Sequence, residues 1–140
     1  MKSFISEIKI DTKGPIEFVD ITGRVRSAFE ESGIREGLVT VFTSHTTAAV
    51  KINERCDRLQ EDMLAFLENA VPASNYRHDE DTVDSRANAR SHLMSLLLNA
   101  SETVPASGGK LMLGTWQTLF FIELDGPRRG RSVSVGIIGE

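Results

Sequence analysis

Apolar and polar residues alternate at the start of the chain, where Phe4, Ile8 and Ile10 are separated by polar positions before Asp11-Thr12-Lys13-Gly14. That period of two predicts a strand over Ser3 to Ile10 closed by a turn. Ile16 to Val19, after Pro15, predicts a short second strand. The period then changes. Ile21, Val25, Ala28 and Phe29 share one helical face, with Asp20 or Thr22 as N-cap and Gly33 as stop. Two β-branched segments, Gly37 to Thr43 and Ala48 to Asn53, predict strands on either side of Ser44-His45-Thr46-Thr47 and place an imidazole near a strand end. From Asp57 to Ala70, Leu59, Met63, Phe66 and Leu67 recur at helical spacing, followed by Val71, until Pro72 stops the pattern.

The polar stretch Pro72 to Arg86, with Tyr76 as its one aromatic, is long for a structureless connection and marks a candidate functional or interface loop. A third helix is expected from near Ala87. It ends before Ser101 to Gly109, where Pro105, Gly108 and Gly109 predict a turn. Lys110 to Leu113, Trp116 to Leu124 and Ser132 to Ile138 read as strands, separated by Gly114 and by Asp125-Gly126-Pro127. With no repeat, no linker and no βαβαβ alternation, the expected fold is α+β: one compact domain over residues 1–140, about three helices and largely antiparallel sheet.

Composition narrows the function classes. The 140 residues carry 16 Lys+Arg, 20 Asp+Glu and a net charge of −4, with 40% hydrophobic residues, enough for a core and too unbiased for disorder. The longest purely apolar run, Met63 to Leu67, is far short of the roughly 20 residues of a membrane span, so no membrane is expected as partner. Glu7 interrupts any signal-peptide apolar region, which predicts a cytoplasmic protein and makes the sequon Asn99-Ala100-Ser101 a chance match. Cys56 alone excludes an internal disulfide or a paired-cysteine metal motif. The acidic balance argues against nucleic acid.

Candidate chemistry gathers on three histidines, His45, His78 and His92, each in a polar neighbourhood. Asn88, His92, Ser95 and Asn99 form one stripe on the third helix, apart from an apolar face of Ala89, Leu93, Leu96 and Leu97. On a generic helix such a stripe is the solvated side; Asn and Ser in place of Lys and Glu weaken that reading. Ser44 and His45 are adjacent on a strand and point to opposite faces, which rejects a serine hydrolase. Their neighbours Thr46 and Thr47 offer hydroxyls for a phosphate, or simple strand-end capping. His78 precedes an acidic run that lacks the glycine and terminal glutamate of an EF-hand; with His45 and His92 it makes a three-imidazole set suited to zinc or a similar divalent ion. Arg128, Arg129 and Arg131, after a tight turn, read as an anion clamp or as solvated hairpin charges. Trp116 reads as packing first and ligand-stacking second.

Ser44-His45-Thr46-Thr47-Ala48-Ala49, Ile52-Asn53-Glu54 with Asp62, His78, Asn88 with His92, Leu113-Gly114-Thr115-Trp116-Gln117 and Asp125-Gly126-Pro127-Arg128 together resemble the YjbQ-like, or secondary thiamine-phosphate synthase, family. The resemblance runs nearly the whole chain and implies an α+β homotrimer. It also implies a weak coupling of hydroxymethylpyrimidine diphosphate to a thiazole phosphate with release of pyrophosphate. The site positions it implies are His45, Asn53, Glu54, Asp62, His78, Asn88, His92, Gln117, Asp125 and Arg128. Departures are Leu98-Asn99-Ala100-Ser101, where the family usually has glycine, and the more basic Arg86 and Arg90.

In this reading His45, His78 and His92 converge, with zinc or magnesium as the candidate ion, Glu54 or Asp62 orients an imidazole, and Arg128 with Arg131 binds phosphate. Competing readings are a non-enzymatic protein that binds a small phosphorylated metabolite, and a metal-dependent phosphoryl hydrolase.

Overall fold

Leu119-Phe120-Phe121-Ile122 shows no polar alternation, because it is the centre of a strand buried on both faces. In the computed structural model, which describes residues 1–140, it lies in β7 (Thr118–Glu123). β7 is the middle of a three-stranded antiparallel sheet, between β2 (Glu17–Asp20) and β4 (Ala48–Asn53). Leu119 and Phe121 face a five-stranded antiparallel sheet in the order β1 (Lys2–Ile10), β8 (Arg131–Gly139), β3 (Gly37–Phe42), β5 (Ser101–Ser107) and β6 (Lys110–Leu111). Ile8, Val39, Val41, Val133 and Val135 fill the space between the sheets, and α1 (Thr22–Ser32) closes it with Val25, Ala28 and Phe29.

The opposite face of β7 carries Phe120 and Ile122 into a smaller core with Leu67 of α2 (Asp57–Ala70) and Met94 of α3 (Ala89–Ser95). The layers are therefore sheet, sheet, helices. This confirms the α+β class, the three helices and the antiparallel pairing. No helix is long and apolar enough to cross a membrane. Of the two candidate caps of α1, Asp20 accepts the Thr22 N–H at 2.9 Å, while Thr22 Oγ1 instead accepts from Leu119 N–H at 2.9 Å.

Three expectations need correction. Ser101 to Ser107 is a strand, and only Gly108-Gly109 makes the turn, at φ 59° and 77°. Val104 and Ala106 point into the core, which drives the strand, and Pro105 is tolerated because β6 reaches only Ala106 and Ser107 on its outer side. Trp116 does not pack: it is 73% exposed in the turn before β7. α3 stops at Ser95, so Leu96 and Leu97 leave the apolar face and are exposed.

Candidate functional site

Ala48 pairs with Glu123, so the segment before β4 and the segment after β7 emerge side by side at one end of the sheets. α3 is tied to that end by Ser91 Oγ, which donates to the Leu124 carbonyl at 2.6 Å. The long polar connection from Pro72 makes one 3-10 turn, Arg77–Asp79, and Asp79 accepts the Ala89 N–H at 2.9 Å, setting the turn against the start of α3. These segments enclose a recess of about 360 Å³ lined by Ser44, His45, Thr46, His78, His92 and Arg128, among others. Its wall of His45 and His92 is shared with a second, open recess of about 550 Å³ that includes Phe42, Ser95, Leu96 and Asn99. The Asn88, His92, Ser95, Asn99 stripe thus faces cavities, as its composition suggested.

Beneath the recess lies a buried ion pair. Glu123, with no exposed surface, takes Arg131 Nη2 on Oε1 at 2.6 Å and Arg131 Nε on Oε2 at 2.8 Å. Thr12 Oγ1 and the N–H groups of Leu124 and Asp125 complete its shell. Burial pushes the Glu123 carboxyl up, but the Arg131 and backbone hydrogen bonds outweigh it and leave the group below its ordinary range. Arg131 also donates to Thr47 Oγ1 at 2.8 Å. Arg131 and Thr47, expected at the ligand, both line the recess, but their mutual hydrogen bond and the ion pair to Glu123 also position the two segments, since a guanidinium this deeply buried needs its carboxylate.

Above it, Asp125 is the hub. It accepts Asn88 Nδ2 at 2.8 Å, Arg128 Nη2 at 2.7 Å and Arg86 Nε at 3.1 Å. Burial raises its carboxyl, and these three partners together hold it below its ordinary value. An ionised carboxylate only accepts, so Asn88 must turn its Nδ2 to Asp125 and its Oδ1 to His78, whose Nε2 lies 3.1 Å away. His78 Nε2 is then the donor, and in the neutral ring Nδ1 is the nitrogen left with a lone pair. Its ring meets that of His92 edge-on, centroids 4.9 Å apart. Arg128 also donates Nε to the Asp125 carbonyl, which leaves Nη1 for a ligand.

His45 is tied from the other side: its Nε2 accepts the Ser132 N–H at 3.0 Å. A ring nitrogen that accepts must be unprotonated, so Nδ1 carries the hydrogen. Burial, then the positive charges of Arg131 and Arg128, lower its pKa from the ordinary value and favour this neutral form.

The three imidazoles share one recess but do not make a metal cage, and no group of three His, Cys, Asp or Glu side chains is arranged to hold an ion. The physical reason is His45, whose lone pair is already used; His78 and His92 remain, short of the three protein ligands of a catalytic zinc site. The zinc or magnesium expected on His45, His78 and His92 does not fit this donor set.

Asn53, Glu54, Asp62 and Gln117 also lie elsewhere. Asn53 pairs with Thr118 at the opposite end of the β4–β7 ribbon from Ala48, about 17 Å away at ~3.4 Å per residue. Asn53 Oδ1 accepts the Glu54 N–H and Gln117 Oε1 the Gly114 N–H, both local turn contacts. Asp62 is exposed on α2 beside an apolar groove of about 310 Å³ that includes Phe18, Met63 and Phe66. Neither Glu54 nor Asp62 orients an imidazole in the chain. Sequence reasoning missed Glu123 and Arg86 as site residues. The signal for Glu123 was a carboxylate ending an otherwise apolar strand, with arginines just beyond.

A sequence model described as UPF0047 protein YjbQ-like matches residues 6–140. A UPF0047 protein of Methanothermobacter thermautotrophicus is 43% identical over 141 residues, covering 100% of this chain and 95% of the relative. YugU, a UPF0047 protein of Bacillus subtilis, is 35% identical over 125 residues, covering 89% and 92%. Among solved structures, a YbjQ-like protein of unknown function from Sulfolobus solfataricus superposes with a TM-score of 0.93 at 38% identity, covering 99% of each chain.

Proposed function

The chain belongs to the UPF0047 YjbQ-like family, and on that premise we propose that its recess binds a phosphorylated heterocyclic metabolite and carries a secondary thiamine-phosphate synthase activity. The observation that supports this reading is the Asp125–Asn88–His78 relay beside Arg128, which presents an oriented imidazole nitrogen and a free guanidinium N–H to the same recess. In the coupling, a bond forms between the thiazole nitrogen and the pyrimidine methylene carbon. The carbon–oxygen bond to diphosphate breaks, and pyrophosphate leaves with the electron pair. Arg128 Nη1, the Ser44 and Thr46 hydroxyls and the His45 Nδ1–H are the groups available to take the growing charge on the leaving oxygens. No covalent nucleophile is required.

A binding protein without turnover is the second reading. It is favoured by charge: Arg86 and Arg128 share one carboxylate and Arg131 is neutralised by Glu123, so these five groups leave a surplus of one positive charge. The deciding experiment follows pyrophosphate release from hydroxymethylpyrimidine diphosphate and thiazole phosphate, with and without added magnesium, in the wild type and in His92→Ala. Release that falls at least tenfold in the variant, for a barrier change of about 1.4 kcal/mol, supports catalysis by the recess. Release unchanged by the substitution overturns it, and tight pyrophosphate binding without turnover selects the second reading. The reading also has the chain acting in the cytoplasm, in keeping with its one unpaired cysteine, and as a homotrimer, which light scattering tests directly.

A further inference from the structure

α2 has an apolar stripe of Leu59, Met63, Phe66 and Leu67, yet only Leu67, near its C-terminal end, is buried. The reason lies in the connection. β4 ends at Asn53 and α2 begins at Asp57, so the helix doubles back along the sheet and is fastened at its far end, where Leu67 and Val71 join Ala49, Phe120 and Ile122 in the smaller core. Toward Leu59 it stands off. The gap is a wedge of about 310 Å³ between helix and sheet, with Phe120 and Ile122 as its floor and the Phe18 ring edge-on to Phe120, centroids 6.0 Å apart. Phe66, on the helix wall of the wedge, is 65% exposed.

Three polar side chains line the wedge, and two of them have other partners. Lys51 Nζ turns to Glu102 at 3.8 Å, and Asn53 Oδ1 accepts the Glu54 N–H. Asp62 has no ion-pair partner, although Arg58 is one turn away on the same helix. α2 carries four carboxylates, Asp57, Glu61, Asp62 and Glu68, against the single cation Arg58, a net of three negative charges in a chain whose whole surplus is four. A free carboxylate at the edge of an apolar wedge offers an ammonium a charge-assisted hydrogen bond while the attached hydrocarbon leaves water.

We infer that the wedge binds a small primary amine with an apolar chain or ring, the hydrocarbon lying on Phe120 and Ile122 and the ammonium on Asp62. Its volume is at the low end for small-molecule pockets, which share this make-up of apolar walls with a few polar groups. Charge selects among the occupants. A fatty acid would set its carboxylate beside Asp62, and an anionic lipid surface or a nucleic acid meets the same repulsion along α2. A second copy docking through this same face would oppose two acidic helices. The wedge shares no lining residue with the recess that holds His45, His78 and Arg128, so the inference stands independently of the ligand proposed there.

Calorimetric titration of the full chain with n-octylammonium, n-octanol and n-octanoate at neutral pH tests it, in the wild type, in Asp62→Asn and in Phe66→Ser. Circular dichroism confirms the fold of each. The expected result is saturable binding of octylammonium, tighter than that of the alcohol or the carboxylate, weakened about tenfold in Asp62→Asn by loss of the charged acceptor and weakened also in Phe66→Ser. Absence of saturable octylammonium binding overturns the site, as does octanoate bound equally tightly or an affinity unchanged in either variant. Amide NMR shifts on adding octylammonium are expected along α2, β4 and β7; shifts centred on His45 and His92 place the amine in the recess and overturn the wedge. Sedimentation equilibrium excludes the remaining occupant. A smaller assembly in folded Phe66→Ser than in the wild type makes the wedge a contact between copies, and the inference fails.

Discussion

Glu123 sits between Arg131, Thr12 and two backbone N–H groups with every oxygen lone pair directed at a donor. Removing one partner leaves the other charge buried and uncompensated, so Glu123→Leu or Arg131→Met is expected to lower stability by about 3–5 kcal/mol. Urea unfolding measures it, and the double replacement is expected to lose less than the sum of the two. His78 offers a sharper test of the site. Asn88 dictates its tautomer, so nitrogen-resolved NMR is expected to find the Nε2–H form in the wild type and a mixture of tautomers in Asn88→Ala. The imidazoles, the Asn88 stripe and Arg128 stood out in the sequence by residue type and Asp125 only through the family resemblance, and the structure brings them together around one recess. The pairing of Arg131, which lines the recess, with Glu123 was not legible, since a sequence shows that an arginine is present but not whether a carboxylate has already claimed it.

At the scale of elements, periodicity located most of what formed. α2 has the expected bounds, Asp57–Ala70, although Leu67 is its one fully buried residue. The failures are instructive. Pro105 and two glycines obscured β5, whose alternation of Val104 and Ala106 was the truer signal. The α3 stripe was legible, but its end was not, because Ser95 bonding back to the His92 carbonyl at 2.7 Å and the following turns are local choices without a breaker residue. Gly126, by contrast, is a position the fold cannot fill. A Cβ there would lie 2.1 Å from the Gly14 carbonyl oxygen, so the β7–β8 connection can approach the β1–β2 turn only as glycine. Gly126→Ala is expected to lower stability by about 1–3 kcal/mol through forced backbone shifts, and thermal denaturation checks it.

For the whole molecule, the titrating groups set a pH profile. The His45 pKa is lowered, so the native state binds fewer protons than the unfolded chain; stability is full above about 6.5 and declines as pH falls through the lowered value. Glu123 and Asp125 are lowered as carboxylates, so their contribution is full above about 4 and is lost below that, as each protonates. Unfolding free energy is therefore expected to fall in two stages on acidification, and His45→Gln is expected to abolish the upper one. If that variant kept the upper stage, another group would own it. By itself the sequence determined the α+β class, most of the strands and helices and the residue types able to do chemistry, because periodicity, turn chemistry and side-chain identity are local properties. Only the tertiary structure decided which of those residues meet. Pairing Ala48 with Glu123 gathers His45, His78, His92 and Asp125 at one end of the β4–β7 ribbon and sends Asn53, Glu54 and Gln117 to the other. The competition for hydrogen-bond partners, which spends Arg131 on Glu123 and the His45 lone pair on Ser132, exists only once the chain has folded.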